Sequence, residues 1–437
     1  MMYPLRVSHR LVVTLFVSQS LFSAAQISIL TLHSIAAGIL GGTDAAAGMP
    51  TTVVTFSQSM MAYAMGIIMG RYGRRVGMCT AYGFAFLGAV LGLISVLHGN
   101  FPLLLISSVG MGIARSGSHM SRFVVGEMFP AAKRAQMIGR IVFAGTIGAI
   151  FGPALIEPGS RLARFLSLEL PPQPFLAHTD LALTITPGAA ITQELTTGPW
   201  VLASFLLGIS FLIAFFLLRP EPALVAAQYS DSPHPAVRGS KSKHTLRELL
   251  RLPNVQLAIL SMLICQTVMS TLMTITPWHM HLADHSNAQV SLVISAHVLG
   301  MFGLSPLTGY LIDRYGRVIM MVVATLLLIA STIIAPLSTQ MPYLVAGLFL
   351  LGLGWNFGYV AGSSMLADAL SGAERTRVAG FNDMLVAFCA GLGTLSSGFL
   401  FGLGGFLFVS AGGGALALLL LALIRTLSVK QMALKQA

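Results

Sequence analysis

Long uninterrupted apolar stretches, not the strict polar–apolar alternation of strands, organise this chain from end to end. Runs of about 20 such residues recur, the length a helix needs to cross roughly 30 Å of hydrocarbon. Basic and small polar residues gather in the short segments between the runs. The pattern predicts twelve helical spans, at 11–40, 52–69, 76–97, 101–129, 136–156, 199–218, 255–278, 290–311, 318–337, 342–370, 378–403 and 406–424.

Composition agrees and narrows the class. Of 437 residues, 55% are hydrophobic and only 9% charged, with a mean hydropathy of +0.82. A soluble domain carries about a quarter of its residues charged, so lipid must be part of this chain's solvent. Backbone groups in lipid must pair internally, which leaves helices or a closed barrel, and the run length selects helices. With the N-terminus placed in the cytoplasm, 21 of the 25 Lys and Arg fall on cytoplasmic connections or tails. Of the others, Arg161 and Arg164 sit in an external loop, and Arg115 and Arg122 lie inside the fourth span. That bias predicts a multi-pass protein of the cytoplasmic membrane with both termini inside. The net charge of +11 then reflects loops facing an anionic leaflet rather than nucleic acid. The first run also has the outline of a signal peptide, with Arg6 and Arg10 ahead of it and "FSAAQ" after it; removal there would leave eleven spans. Cys79, Cys265 and Cys389 fall inside apolar runs with no grouping that suggests a disulfide or a thiolate metal site.

Two connections are long. The external one, 157–198, is rich in Pro and Thr. The cytoplasmic one, 219–253, carries six basic residues and ends in "HTLRELLRL", a short surface helix with Thr245 as its cap. The second connection divides the chain into 1–218, 219–253 and 254–437, with six spans on either side of a linker. The flanking parts repeat one another. "GIIMGRYGR" at 66–74 returns as "GYLIDRYGR" at 309–317, with Gly70 in the place of Asp313. "GMGIARSGSHMSRFVVGEMFPAAKRAQMIGR" in span four lies against "GLGWNFGYVAGSSMLADALSGAERTRVAGFND" in span ten at nearly the same offset. Internal duplication of this kind marks secondary transporters.

On these residues the chain resembles the major facilitator superfamily over nearly its whole length. The resemblance implies an all-α fold of twelve transmembrane helices in two pseudo-symmetric six-helix bundles. It makes the repeated phrase a gating loop. Gly66 and Gly309 permit close helix approach, and Gly73 and Gly316 permit a tight turn. Asp313 is expected to accept from Arg317 or from the amides of a neighbouring helix N-terminus, with Arg314 alongside. Gly70 cannot do this, so the first-half latch is expected to be weak or rebuilt from Arg71, Arg74 and Arg75. "GTIGAIFGPAL" in span five, with Gly148, Gly152 and Pro153, resembles the superfamily's antiporter-type motif at the interface between halves.

Ionisable and polar residues at membrane depth are the remaining candidates. Arg115, His119 and Arg122 share a face of span four with Ser108 and Gly112. An unpaired Arg115 would favour an anionic group, whereas pairing with Glu127 would make it structural. Gln19, Gln26 and His33 in span one, and Gln266 and Thr274 in span seven, are candidate substrate contacts; Asn356 and Asp383 add polar groups in spans ten and eleven. Asp383 either exchanges protons or pairs with Arg375 or Arg377. His297, alone in span eight, either carries a coupling proton or is structural. His279, His281 and His285 crowd the outer end of span seven, a weak candidate metal site.

The expectation is a secondary transporter and not an enzyme, without organic cofactor or metal, acting as a monomer on a small-molecule substrate. No GxxxxGK[ST] loop is present, so protons are the expected energy source. Efflux by proton antiport is the first reading of direction; uptake, or transition-metal export through the histidines, are the alternatives.

Overall fold

The computed structural model describes residues 5–41, 44–154, 156–166, 193–229, 244–285, 287–370 and 372–436. Much of the external loop and the middle of the linker, with His281's side chain and that of Pro153, lie outside the described set. Among the described residues there are helices and no strands.

The helices are α1 (Leu5–Gly41), α2 (Asp44–Tyr72), α3 (Arg74–Leu97), α4 (Phe101–His119), α5 (Ser121–Glu127), α6 (Ala131–Ala154), α7 (Ile156–Phe165), α8 (Gln193–Leu217) and α9 (Pro222–Ala226). They continue with α10 (Leu246–Leu249), α11 (Pro253–Leu282), α12 (Asn287–Val298), α13 (Ser305–Tyr315), α14 (Arg317–Ile334), α15 (Met341–Ala369) and α16 (Gly372–Gln436). Nine described helices are each long and apolar enough to cross a membrane. One of these is double: α16 turns back at Gly404 and Gly405, the latter at φ 64°. Two further crossings are broken ones. The fourth span is α4 and α5, interrupted at Met120, whose amide donates to Gly117 instead of continuing the ladder. The eighth is α12 and α13, joined by a π turn at Leu299–Gly303 and bent by 44°. The twelve expected spans are therefore present, with two breaks that the apolar pattern did not announce. The first run packs along α6 and α8.

Local chemistry sets the helix starts. Asn100 accepts from the Leu103 amide at 2.9 Å to open α4. Thr245 and Glu248 form a reciprocal capping box at α10, as the sequence predicts. Gly73 and Gly316 take nearly the same backbone conformation, φ 100° and 94°, which a residue with a Cβ adopts only at a cost. Two helices therefore reverse at equivalent points of the repeat.

Within the first half, α1 packs on α6 and α8, and α3 on α4 and α8; within the second, α11 packs on α15 and α16, and α14 on α15. The halves meet along α2 with α16 and along α6 with α13. They diverge elsewhere. Among the described residues α5 touches α15 but α4 does not pack on it, α13 touches α6 but α12 does not, and α1 and α11 do not run together. The bundle is closed at the end bearing the Gly73 and Gly316 turns and splayed at the other.

Candidate functional site

The closed end is built twice from the same parts. Gly66 lies so near α16 that an added Cβ would stand 2.3 Å from the Thr376 carbonyl oxygen; at Gly309 it would stand 2.5 Å from that of Ala135 in α6. Gly380 and Gly139 receive the opposing backbones, at Ala62 and Ser305, with equally little room. Charges follow the same symmetry. Arg74 pairs with Glu127 at 2.9 Å and donates to the Gly372 carbonyl at 2.9 Å. Its counterpart Arg317 pairs with Asp368 at 2.9 Å and donates to the Ala131 carbonyl at 2.5 Å. Arg375 reaches Glu127 at 3.7 Å, and Arg134 pairs with Asp368. Each carboxylate thus holds one arginine from its own half and one from the opposite half.

The copies differ at one place. Asp313 accepts from the amides of Ala135 and Gln136 at 3.2 and 2.8 Å, at the start of α6, and pairs with Arg317 at 3.0 Å. Both expected partners are present together, an arrangement that a helix N-terminus favours. At Gly70 the equivalent space is taken by the Thr376 hydroxyl, 2.9 Å from where a Cβ would be. The first-half latch is rebuilt, as expected, but by Arg74 alone. Arg71 is exposed beside the Tyr72 ring, and Arg75 turns to the Phe215 carbonyl at 2.6 Å. Arg314 is likewise exposed, its nearest hydroxyl being that of Tyr310 at 3.4 Å.

Deeper between the halves stands a pair that sequence reasoning missed. Arg122 Nη2 lies 2.5 Å from Asp383 Oδ1, with the two side chains 2% and 4% exposed. Arg122 Nε donates to Ser363 Oγ at 2.9 Å, and the guanidinium lies between the rings of Phe123 and Tyr359, 4.3 and 4.4 Å from their centroids. Asn382 donates to the same Asp383 oxygen at 3.0 Å. This corrects one expectation: Asp383 pairs with Arg122, and not with Arg375 or Arg377. Their separation by 261 residues hid the contact, because spacing along a chain does not say which helices face each other across two bundles.

Toward the splayed end, Arg115 is half-buried, its Nε is enclosed and donates to nothing, and Glu127 is engaged elsewhere. It lies in electrostatic reach of Tyr359. Beyond Tyr359, Trp355 stacks at 4.6 Å and meets Phe302 edge-on at 5.8 Å. Gln266 accepts from the Trp355 indole at 2.8 Å and donates to Ser270. On the other side Gln19 accepts from Ser118 at 2.7 Å and from Tyr82 at 3.4 Å, its amide nitrogen unengaged; Gln26 and His119 are half-buried. Arg115 and His119 lie near Tyr359 and Arg122, Gln266 joins the same group through Trp355, Gln19 stays with Ser118 and Tyr82 of its own half, and Thr274 is more exposed, 3.3 Å from Thr394.

Other candidates fall away from this group. The shared face of span four divides: Ser108 bonds His33 at 3.2 Å, and Gly112 seats the α2 backbone at Val54. His33 is buried inside the first half against Trp200. Asn356 donates to the Met301 carbonyl and to Ser305, and accepts from Thr308 at 2.5 Å, so it braces the broken eighth span. His297 is buried between α12 and α15 with Nδ1 on the Leu348 carbonyl at 3.0 Å.

The comparisons with known proteins agree with this architecture. The family model described as Major Facilitator Superfamily matches residues 13–286 and 258–436. The chain belongs to the major facilitator superfamily. It is a transporter and not an enzyme. The MFS-type transporter YdeG of Bacillus subtilis (strain 168) is 29% identical over 420 residues, covering 94% of this chain and 91% of that one. The riboflavin transporter RfnT of Brucella anthropi is 25% identical over 383 residues, covering 87% and 86%. The human organic anion transporter MFSD10 superposes with a TM-score of 0.71 at 18% identity, over 95% of this chain and 99% of that one, which supports the fold.

Against the superfamily resemblance, one expectation needs correction. Gly148 and Gly152 do not lie between the halves; they seat α6 on α1, against Ser23 and Ile27 within the first bundle. Only Gly145 meets the second half, at Phe302. The histidines at the end of α11 and just beyond it have other partners, although His279 and His285 lie within electrostatic reach of each other. His279 stacks on Phe406 at 4.4 Å and His285 bonds the Thr339 carbonyl at 2.7 Å. Among the described residues no three potential ligands converge on a metal.

Proposed function

We propose that this superfamily member is a proton-coupled secondary transporter of a small organic solute, acting as a monomer by alternating access across the cytoplasmic membrane. The basic, closed end faces the cytoplasm in this reading, and the direction is outward, on the strength of the "GTIGAIFGPAL" segment in α6. The observation that carries the proton coupling is the Arg122–Asp383 pair. The two residues belong to bodies that must part when the closed end opens. Breaking a buried pair and leaving a lone carboxylate costs about 3–5 kcal/mol. A proton on Asp383 removes the carboxylate's share of that cost, leaving Arg122 with Ser363 and the Phe123 and Tyr359 rings, so protonation and opening favour one another.

The test uses purified protein in liposomes that enclose a pH-sensitive dye, with a solute panel headed by riboflavin, the solute named for RfnT. Solute movement should carry protons in the wild type. Asp383→Asn should retain solute exchange down a gradient but lose both proton movement and its acceleration by a pH difference. Undiminished proton movement in that variant would remove Asp383 from coupling. Direction is read in everted membrane vesicles, which accumulate an exported solute and exclude an imported one.

A further inference from the structure

Among the described residues, the four buried arginines all face a carboxylate: Arg74 and Arg375 share Glu127, Arg134 faces Asp368, and Arg122 faces Asp383. Arg317 has two, Asp313 and Asp368. Arg115 has none among the described residues, and its Nε is enclosed without an acceptor. A cation at membrane depth is costly unless something pairs with it. The protein has met this cost internally for these five arginines and supplies no carboxylate to Arg115 among the described residues.

What lies beside Arg115 specifies more than charge. Tyr359, Trp355 and Phe302 form a row of ring contacts running toward α6; Tyr359 and Trp355 are buried in it, the Trp355 indole N–H held by Gln266, and Phe302 ends the row. Phe302 is half-buried, so part of its ring is free. Flat rings gain about 0.5–1.5 kcal/mol against such a ring beyond their area burial. Beside Ser118, on the same helix as Arg115, the amide nitrogen of Gln19 has no partner among the described residues and adds a neutral donor suited to an oxygen.

We infer that the solute is an organic anion with a flat aromatic body, its single negative charge held by Arg115 and its ring laid against the free part of Phe302. This deepens the transporter reading and rests on it. The guanidinium presents a planar fork that matches a carboxylate through two parallel bonds, and an enclosed, low-dielectric setting strengthens them.

The experiment is binding to purified wild-type protein, followed by ligand-dependent melting and by quenching of tryptophan emission. The probes are 2-naphthoate, the neutral isostere 2-naphthamide, and the non-aromatic anion cyclohexanecarboxylate. Naphthoate should bind about tenfold or more tightly than either control. Arg115→Gln should erase its advantage over naphthamide, and Phe302→Ala its advantage over cyclohexanecarboxylate. Arg115→Lys, which keeps the charge but loses the fork, should give an intermediate preference. Unligated melting of each variant reports whether it folds, and the lysine variant carries the test if the glutamine variant does not. Absence of naphthoate binding, or equal binding of either control, overturns the assignment. The transporter reading is judged separately, by spin-label distances between positions 71 and 314 that require no solute; intact exchange there with failed naphthoate binding sinks only the solute class.

Discussion

Gly70 and Asp313 occupy equivalent places in the two copies of one phrase, and each has a local reason. Asp313 accepts from the amides of Ala135 and Gln136, whereas Thr376 fills the corresponding space at Gly70 with its own hydroxyl. Restoring the acid should therefore fail alone and succeed with room made for it. Gly70→Asp should lower the melting temperature of the purified protein, and adding Thr376→Ala should recover it, because the carboxylate could then meet the start of α16. A Gly70→Asp variant as stable as wild type would contradict this account. The sequence alone showed that the first copy had lost its acid and that Arg74 was among the residues available to replace it. It did not show Glu127 and Asp368 as the anchors, since each meets arginines from both halves, and such convergence has no signature in linear spacing.

At the scale of elements, the apolar runs placed the spans to within a few residues, because run length against bilayer thickness is a strong signal. The breaks were harder. Span eight contains Gly300, Gly303 and Pro306 within "LGMFGLSP", residues that commonly mark a bend, and the chain does bend there by 44°. Once the ladder is interrupted, the Met301 carbonyl needs another partner, and Asn356 supplies it while bonding Ser305 and Thr308. Hydrophobic substitution should leave these groups unpaired at about 1–3 kcal/mol. Asn356→Leu should thus lower the melting temperature and slow transport without altering the Arg115-dependent preference among solutes. A variant that keeps wild-type stability would show that the bend does not depend on this side chain. The same contacts explain why Asn356, polar and at membrane depth, looked like a solute contact when only its depth was legible.

For the whole molecule, the repeat in the sequence becomes a pair of interfaces, α2 against α16 and α6 against α13, joined at one end and parted at the other. Spin labels at the exposed positions 71 and 314, one on each half, should report a short distance in the wild type. A second, longer population should grow in Asp383→Asn, because the tie between α5 and α16 has lost its charge. An unchanged distance distribution in that variant would mean the pair does not hold the halves together. Fold class and duplication were legible because they are patterns spread over hundreds of residues. The central pair was not, because it depends on how two separately readable bundles lean on one another.

The mirrored network at the joined end has an electrical bias. Arg74, Arg134, Arg317 and Arg375 are gathered around Glu127, Asp313 and Asp368, leaving a surplus of one positive charge. Parting the halves there turns this surplus outward, into the mouth of the newly formed vestibule. A passage with such an entrance draws negatively charged molecules inward before any of them touches a specific side chain. The ties that keep the gate shut become, once undone, the lure that fills the chamber behind it.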